Sequence, residues 1–124
     1  EQLSALPWIA VNTFYQHSVS LLHHRRNEAI TLNISPRLST DSIYVARNAA
    51  LAGLGVTLVS SWMVEDDIAS GRLITLLPDW HASSLPVHLV YPWARYYPTR
   101  LRKFLALMKD VMPQVAGMRG VHDV

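Results

Sequence analysis

NAALAGLGVTLVSSWMV, residues Asn48–Val64, joins a helical pattern to a strand pattern across a Gly-Leu-Gly, and the reading of those glycines decides the fold. A dinucleotide-binding loop needs glycines that leave a strand and open a helix, because the helix N-terminus supplies the free N–H groups and the positive dipole end that hold pyrophosphate. Here the order is reversed. The helical run reaches Ala52 first, so Gly53 suits the left-handed conformation that closes a helix, and Gly55 lets the chain turn directly into a strand at Val56. Such a seam exposes carbonyls, which repel phosphate, and both glycines read as structural.

Upstream of the seam, Ser39 or Thr40 is a good N-cap, with Asp41 and Ser42 in the first turn of a helix that runs to Ala52. Ile43, Ala46, Ala50, Leu51 and Leu54 mark its apolar face, which is thin enough to lie close to a sheet. Before it, Ile30, Leu32 and Ile34 alternate with polar residues in a half-buried strand, Ala29 to Ser35, which Pro36 stops. PWIAV, Pro7 to Val11, predicts a buried strand ending in the polar turn Asn12, Thr13. Between these, Val19 and Leu22 at helical spacing, with Arg25 and Arg26 near the negative dipole end, predict a helix from about Gln16 to Arg26.

Downstream, Val56 to Val59 is a strand covered on both faces, Trp62 to Ala69 a short helix, and Gly71 to Trp80 a turn with an extended segment. Leu85 to Pro92 predicts a further strand. Pro98 and Thr99 open a last helix, stopped by Pro113, with Leu101, Phe104, Leu105, Met108, Val111 and Met112 on one face. Strands that alternate with helices imply an α/β fold, a mainly parallel sheet flanked by helices.

At 124 residues the chain has the size of one domain. Half of it is hydrophobic and only 16% charged, which predicts surface covered by more protein. The formal charge of +2 is spread among carboxylates rather than massed, so this segment carries no nucleic-acid interface of its own. The absence of cysteine excludes disulfides and thiolate chemistry and fits a cytoplasmic location. No apolar run approaches the roughly 20 residues of a membrane helix, so no membrane partner is expected. The opening EQLSALPWIAV has neither a basic leader nor an initiating Met, as expected of a cut inside a longer protein, and residues 114–124 lack any period, as expected of a disordered tail.

In open α/β sheets small molecules bind beyond the carboxyl ends of the strands. Three polar clusters should converge there: Asn12, Thr13 and Phe14; Ser39, Thr40, Asp41 and Ser42; and Ser60, Ser61 and Trp62. Singly, each is an ordinary cap or turn residue; together they outline a site. Catalysis and metal binding find no comparable support. His23 and His24, read on a helix, point about 100° apart, and no histidine pair has i, i+4 spacing. His88, on its strand, reads as a buried, hydrogen-bonded side chain. Ser60 and Ser61 lack the flanking glycines of a nucleophile elbow. Glu65, Asp66 and Asp67 read as a solvated helix start, and Arg100, Arg102 and Lys103 as the solvent side of the last helix. No catalytic residue, metal or cofactor is expected.

TDSIYVARNAALAGLGVTLVSSWMVEDDIASGRLITLLPDW followed by LPVHLVYPWARYYPTRLRKFLALM resembles the C-terminal part of the effector-binding domain of LysR-type transcriptional regulators. The likeness runs from SALPWIAV to about Val111; the distinctive elements are the helix ending AALAGLG, the Trp and acidic stretch, GRL, LPDW and the YP of Tyr91 and Pro92. It implies one lobe of a two-lobed, type 2 periplasmic-binding-protein-like domain with a small-molecule effector between the lobes. Residues 1–92 would form the second lobe with its return strand, and residues 93–113 a helix belonging to or packing on the first lobe. Asn12, Thr13, Phe14, Thr40, Asp41 and Ser42 would face the effector cleft, with Ser60 and Ser61 standing where many relatives place a proline before the Trp. The helix from about Gln16 and the strand Ile30 to Ile34 would help form a dimer contact. DNA would be bound only through an N-terminal winged helix-turn-helix, which nothing in this chain matches. Hydroxyl-rich helix starts suit a small anion or carboxylate, and the exposed apolar surface suits a homo-oligomer. A solute-binding protein fragment of a transport system is the alternative on the same fold.

Overall fold

An uninterrupted apolar quartet has no polar face to offer water, and Trp8–Val11 forms a strand, β1, buried along its whole length. The computed structural model describes residues 2–118, which form two compact units, one reaching Ser84 and the other beginning at Leu85.

In the first unit β1 is the centre of a three-stranded sheet, with β4 (Pro36–Thr40) on one side and β5 (Val56–Thr57) on the other, both parallel to it. Helix α1 (Ile43–Leu51) connects β4 to β5 and contributes the buried Ala46 and Ala49 to the core around β1. Small side chains on that face allow the close approach that the sequence anticipates. The seam glycines act as the order of elements requires. Gly53 has φ 75°, and the Gly53 and Leu54 N–H groups donate to the Ala50 and Ala49 carbonyls at 2.9 and 3.0 Å, closing α1 with a left-handed cap. At Gly55 a β-carbon would stand 1.9 Å from the Pro7 carbonyl oxygen, the same oxygen that accepts from the Val56 N–H at 2.9 Å.

A second sheet, in the order β3-β2-β6, is antiparallel throughout: β2 is Ser18–His23, β3 is Ala29–Asn33 and β6 is Trp80–His81. The helix expected from Gln16 to Arg26 is therefore a strand. Val19 and Leu21, two apart, are the buried pair, opposite Leu32 and Ile30, whereas Leu22 lies on the exposed face. The period is two, and the Val19–Leu22 spacing that suggested a helix joins opposite faces of a hairpin. Pro36 opens β4 rather than leading into a cap; as the first residue of an edge strand it leaves no ladder donor missing. The architecture is mixed α/β, and the mainly parallel sheet expected from alternation gives way to a parallel and an antiparallel sheet.

In the second unit no strand forms across Leu85–Pro92, where Val87 and Val90 are exposed. His88, expected to be buried, is exposed as well. Helix α3 (Thr99–Val111) follows Pro98 and gives way to a 3-10 turn, Met112–Gln114, that contains Pro113. Leu101, Leu105, Met108 and Met112 are half-buried, while Phe104 and Val111 of the expected apolar face are exposed. Of the tail expected to be disordered, residues 119–124 lie outside the described residues.

Candidate functional site

Because β4, β1 and β5 run parallel, their carboxyl ends share one edge of the sheet. There Val11 stands beside Thr40, and the ladder continues one residue further, with the Asn12 N–H donating to the Thr40 carbonyl at 2.8 Å. The chain turns at once: the Phe14 and Tyr15 N–H groups both donate to the Val11 carbonyl, at 2.9 and 3.0 Å. This leaves Asn12, Thr13 and Phe14 as an exposed tip.

Across from that tip, the Thr40 Oγ1 accepts from the Ser42 N–H at 3.1 Å, and the Ser42 Oγ accepts from the Val45 N–H at 3.4 Å. Ser42 is thus the N-cap of α1, later than the expected Ser39 or Thr40, which belong to β4. Thr40 and Ser42 are half-buried and Asp41 is exposed. The structure therefore brings Asn12, Thr13 and Phe14 to Thr40, Asp41 and Ser42 through the Asn12–Thr40 bond. β5 leads along the same edge to Ser60 and Ser61, which open helix α2 (Ser61–Ala69). Both serines are exposed; Ser60 offers its carbonyl to the Met63 N–H at 3.1 Å, and its side chain makes no cap bond. Both α1 and α2 thus begin beyond the carboxyl ends of this sheet, α1 with its Val45 N–H capped by Ser42 and α2 with its Met63 N–H bonded to the Ser60 carbonyl.

Two buried residues escape the sequence reading. Tyr15, the first residue beyond the exposed tip, is buried and folds its phenol back beneath it. The hydroxyl donates to the Ile9 carbonyl at 2.9 Å, accepts from the Leu58 N–H at 2.8 Å and lies 3.1 Å from the Thr57 Oγ1, tying the middle of β1 to the end of β5. Burial raises its pKa above the ordinary 10.0, opposed by its bonds to Thr57 and Leu58. The signal lay in a turn that ends on an aromatic with a polar tip.

Asp67, expected in a solvated helix start, is fully buried, although its neighbours Glu65 and Asp66 are exposed. Arg47 of α1 forks onto it, with Nε 2.6 Å from Oδ2 and Nη2 3.0 Å from Oδ1, and the Arg72 Nη2 lies 2.6 Å from Oδ1. Val64 and Asp67, three apart, share the inner face of α2.

His23, His24 and His81 lie elsewhere. On the β2–β3 hairpin and β6, the His24 and His81 rings are 4.7 Å apart and His23 meets Trp80 edge-on at 5.0 Å. A hollow of about 230 Å³ there is lined by Leu22, His23, Arg26, Asn27, Glu28, Ala29 and His81. Among the described residues no three His, Asp or Glu side chains are grouped to hold a metal, and no helix is long and apolar enough to cross a membrane.

Known transcriptional regulators resemble this chain. The HTH-type transcriptional regulator PtxR of Pseudomonas aeruginosa is 34% identical over 86 residues, 69% of this chain and 28% of PtxR. The HTH-type transcriptional regulator CrgA of Neisseria meningitidis is 36% identical over 78 residues, 62% of this chain and 26% of CrgA. Among solved structures, the regulatory domain of AphB from Vibrio vulnificus matches with a TM-score of 0.58 and 27% identity, covering 66% of this chain and 40% of that one. The chain thus spans less than half the length of each of these relatives. The LysR substrate binding domain model matches residues 1–113, nearly the whole length, and the chain belongs to that family.

Proposed function

We propose that this chain is the effector-sensing part of a LysR-type transcriptional regulator, holding a small anion or carboxylate at the rim formed by Asn12, Thr13, Phe14, Thr40, Asp41, Ser42, Ser60 and Ser61. The observation that carries this reading is the shared carboxyl edge of β4, β1 and β5, from which two hydroxyl-bearing helix starts follow. Backbone N–H groups of α1 and α2 would bind the anion, and the hydroxyls would orient it. Binding would favour one arrangement of lobes or subunits over another, which a DNA-binding domain elsewhere in the regulator would read. Residues 1–92 would serve as the second lobe with its return segment, and residues 93–113 as a helix of the first. The edge strand β3 would contribute to a homo-oligomer contact. Such a role is cytoplasmic and requires no chemistry from this chain.

Amide chemical-shift mapping with a panel of small mono- and dicarboxylates tests it. At least one should move the signals of Asn12–Phe14, Thr40–Ser42 and Ser60–Ser61 together, and Ser42→Ala with Thr40→Val should weaken that response about tenfold. Shifts confined to the hairpin hollow around His23 and His81, or no saturable shift with any member, would refute the proposal.

A further inference from the structure

Helix α2 presents one of the two N-termini of the proposed rim, yet little apolar surface secures it. Its buried residues are Val64 and Asp67, while Trp62 and Ile68 are 41% and 42% exposed. A nine-residue helix with one buried apolar anchor needs another restraint to hold its position. Asp67 supplies it: side-chain exposure is 0% at Asp67 and 27% at Arg47, and the pair is twenty residues apart in sequence. The guanidinium engages both carboxylate oxygens, a geometry that fixes orientation as well as distance. Arg72 completes the cluster locally. Its N–H and that of Leu73 donate to the Asp67 carbonyl at 2.8 and 3.1 Å, which closes the turn after α2 and leaves the contact to α1 to Arg47.

We infer that Arg47 and Asp67 are positioning residues of the rim: their forked ion pair sets where the start of α2 stands relative to the start of α1. The inference rests on the effector-rim reading for its purpose, but the pair's mechanical role can be measured without any ligand. A carboxylate buried between two guanidiniums favours one arrangement, because moving α2 away strands a charge out of water.

Amide hydrogen exchange on the wild type and on Arg47→Lys and Arg47→Gln is the test. Arg47→Lys keeps the charge and loses the fork, and Arg47 is partly exposed, so the protein should still fold. Exchange in α2 from Met63 onwards should accelerate about ten- to hundredfold, the loss expected of one or two charge-assisted hydrogen bonds, while Ile9–Val11 in β1 keeps its protection. Arg47→Gln should match or exceed Arg47→Lys. Equal acceleration in α2 and β1 would mean general destabilisation, and unchanged exchange in α2 would mean that Val64 packing suffices; either result overturns the inference. Should Arg47→Gln not fold, Arg47→Lys alone decides. Failure here leaves the carboxylate mapping untouched, and failure of that mapping leaves the exchange pattern standing.

Discussion

Tyr15 concentrates in one side chain what the rim needs. Its hydroxyl has a donor's place and acceptor places filled by Ile9, Leu58 and Thr57, so Tyr15→Phe would leave the Leu58 N–H and the Ile9 carbonyl without that partner. The expected cost is about 1–3 kcal/mol, read from urea unfolding at neutral pH. The pH dependence follows from the raised pKa. Above 10.0 the unfolded chain loses this proton while the folded chain keeps it, so the native state binds more protons and stability falls as pH rises. The contribution is fully present below pH 10.0 and is lost as pH climbs through the higher folded-state value. Tyr15→Phe should therefore lose stability less steeply than the wild type above pH 10.0, and identical slopes would show that this phenol does not couple ionisation to folding. Reading from sequence reached Asn12, Thr13 and Phe14 but stopped one residue short, because what distinguishes Tyr15 is a partner forty-two residues away. Asp67 was missed for a related reason: three adjacent acids look solvated until Arg47 is brought beside the third.

Among elements, those with a strong local signal were legible. β1 is continuous apolar sequence, α1 and its glycine cap have the right residues in the right order, and α3 has Pro98 before it and Pro113 after it. β2 was not, since six residues with Val19, Leu21 and Leu22 fit two periods, and only pairing with Ile30 and Leu32 selects between them. The glycine seam separates two costs that sequence alone merges. Gly53→Ala meets nothing within 4 Å, so its penalty is the left-handed backbone alone, about 1 kcal/mol. Gly55→Ala drives a β-carbon into the Pro7 carbonyl and must spread β5 from the start of β1, for about 3 kcal/mol or more. Denaturant midpoints of the two variants should differ in that order; equal midpoints would mean that Gly55 is not held against Pro7.

At the scale of the molecule, the low charge and high apolar content of the sequence correspond to surface the described residues leave open. In the second unit Val90, Trp93 and Tyr96 are 92%, 86% and 81% exposed, and Phe104 and Leu107 of α3 are about half exposed. Single exposed apolar residues are ordinary, but several within one short stretch of chain mark surface that water covers at a cost. At about 25 cal/mol per Å² of apolar area removed from water, covering a few hundred Å² yields several kcal/mol before the cost of association is subtracted. The 124-residue chain expressed alone should therefore self-associate at micromolar concentration, with a light-scattering mass above 14.0 kDa. Val90→Glu with Trp93→Glu should return the mass toward the monomer without shifting the unfolding midpoint of the β1 core, because these residues belong to the other unit. A wild-type chain that stays monomeric across that range would show that this apolar stretch is tolerated in water; an unchanged oligomer in the double variant would move the contact to another surface, with the β3 edge of the antiparallel sheet the next to test.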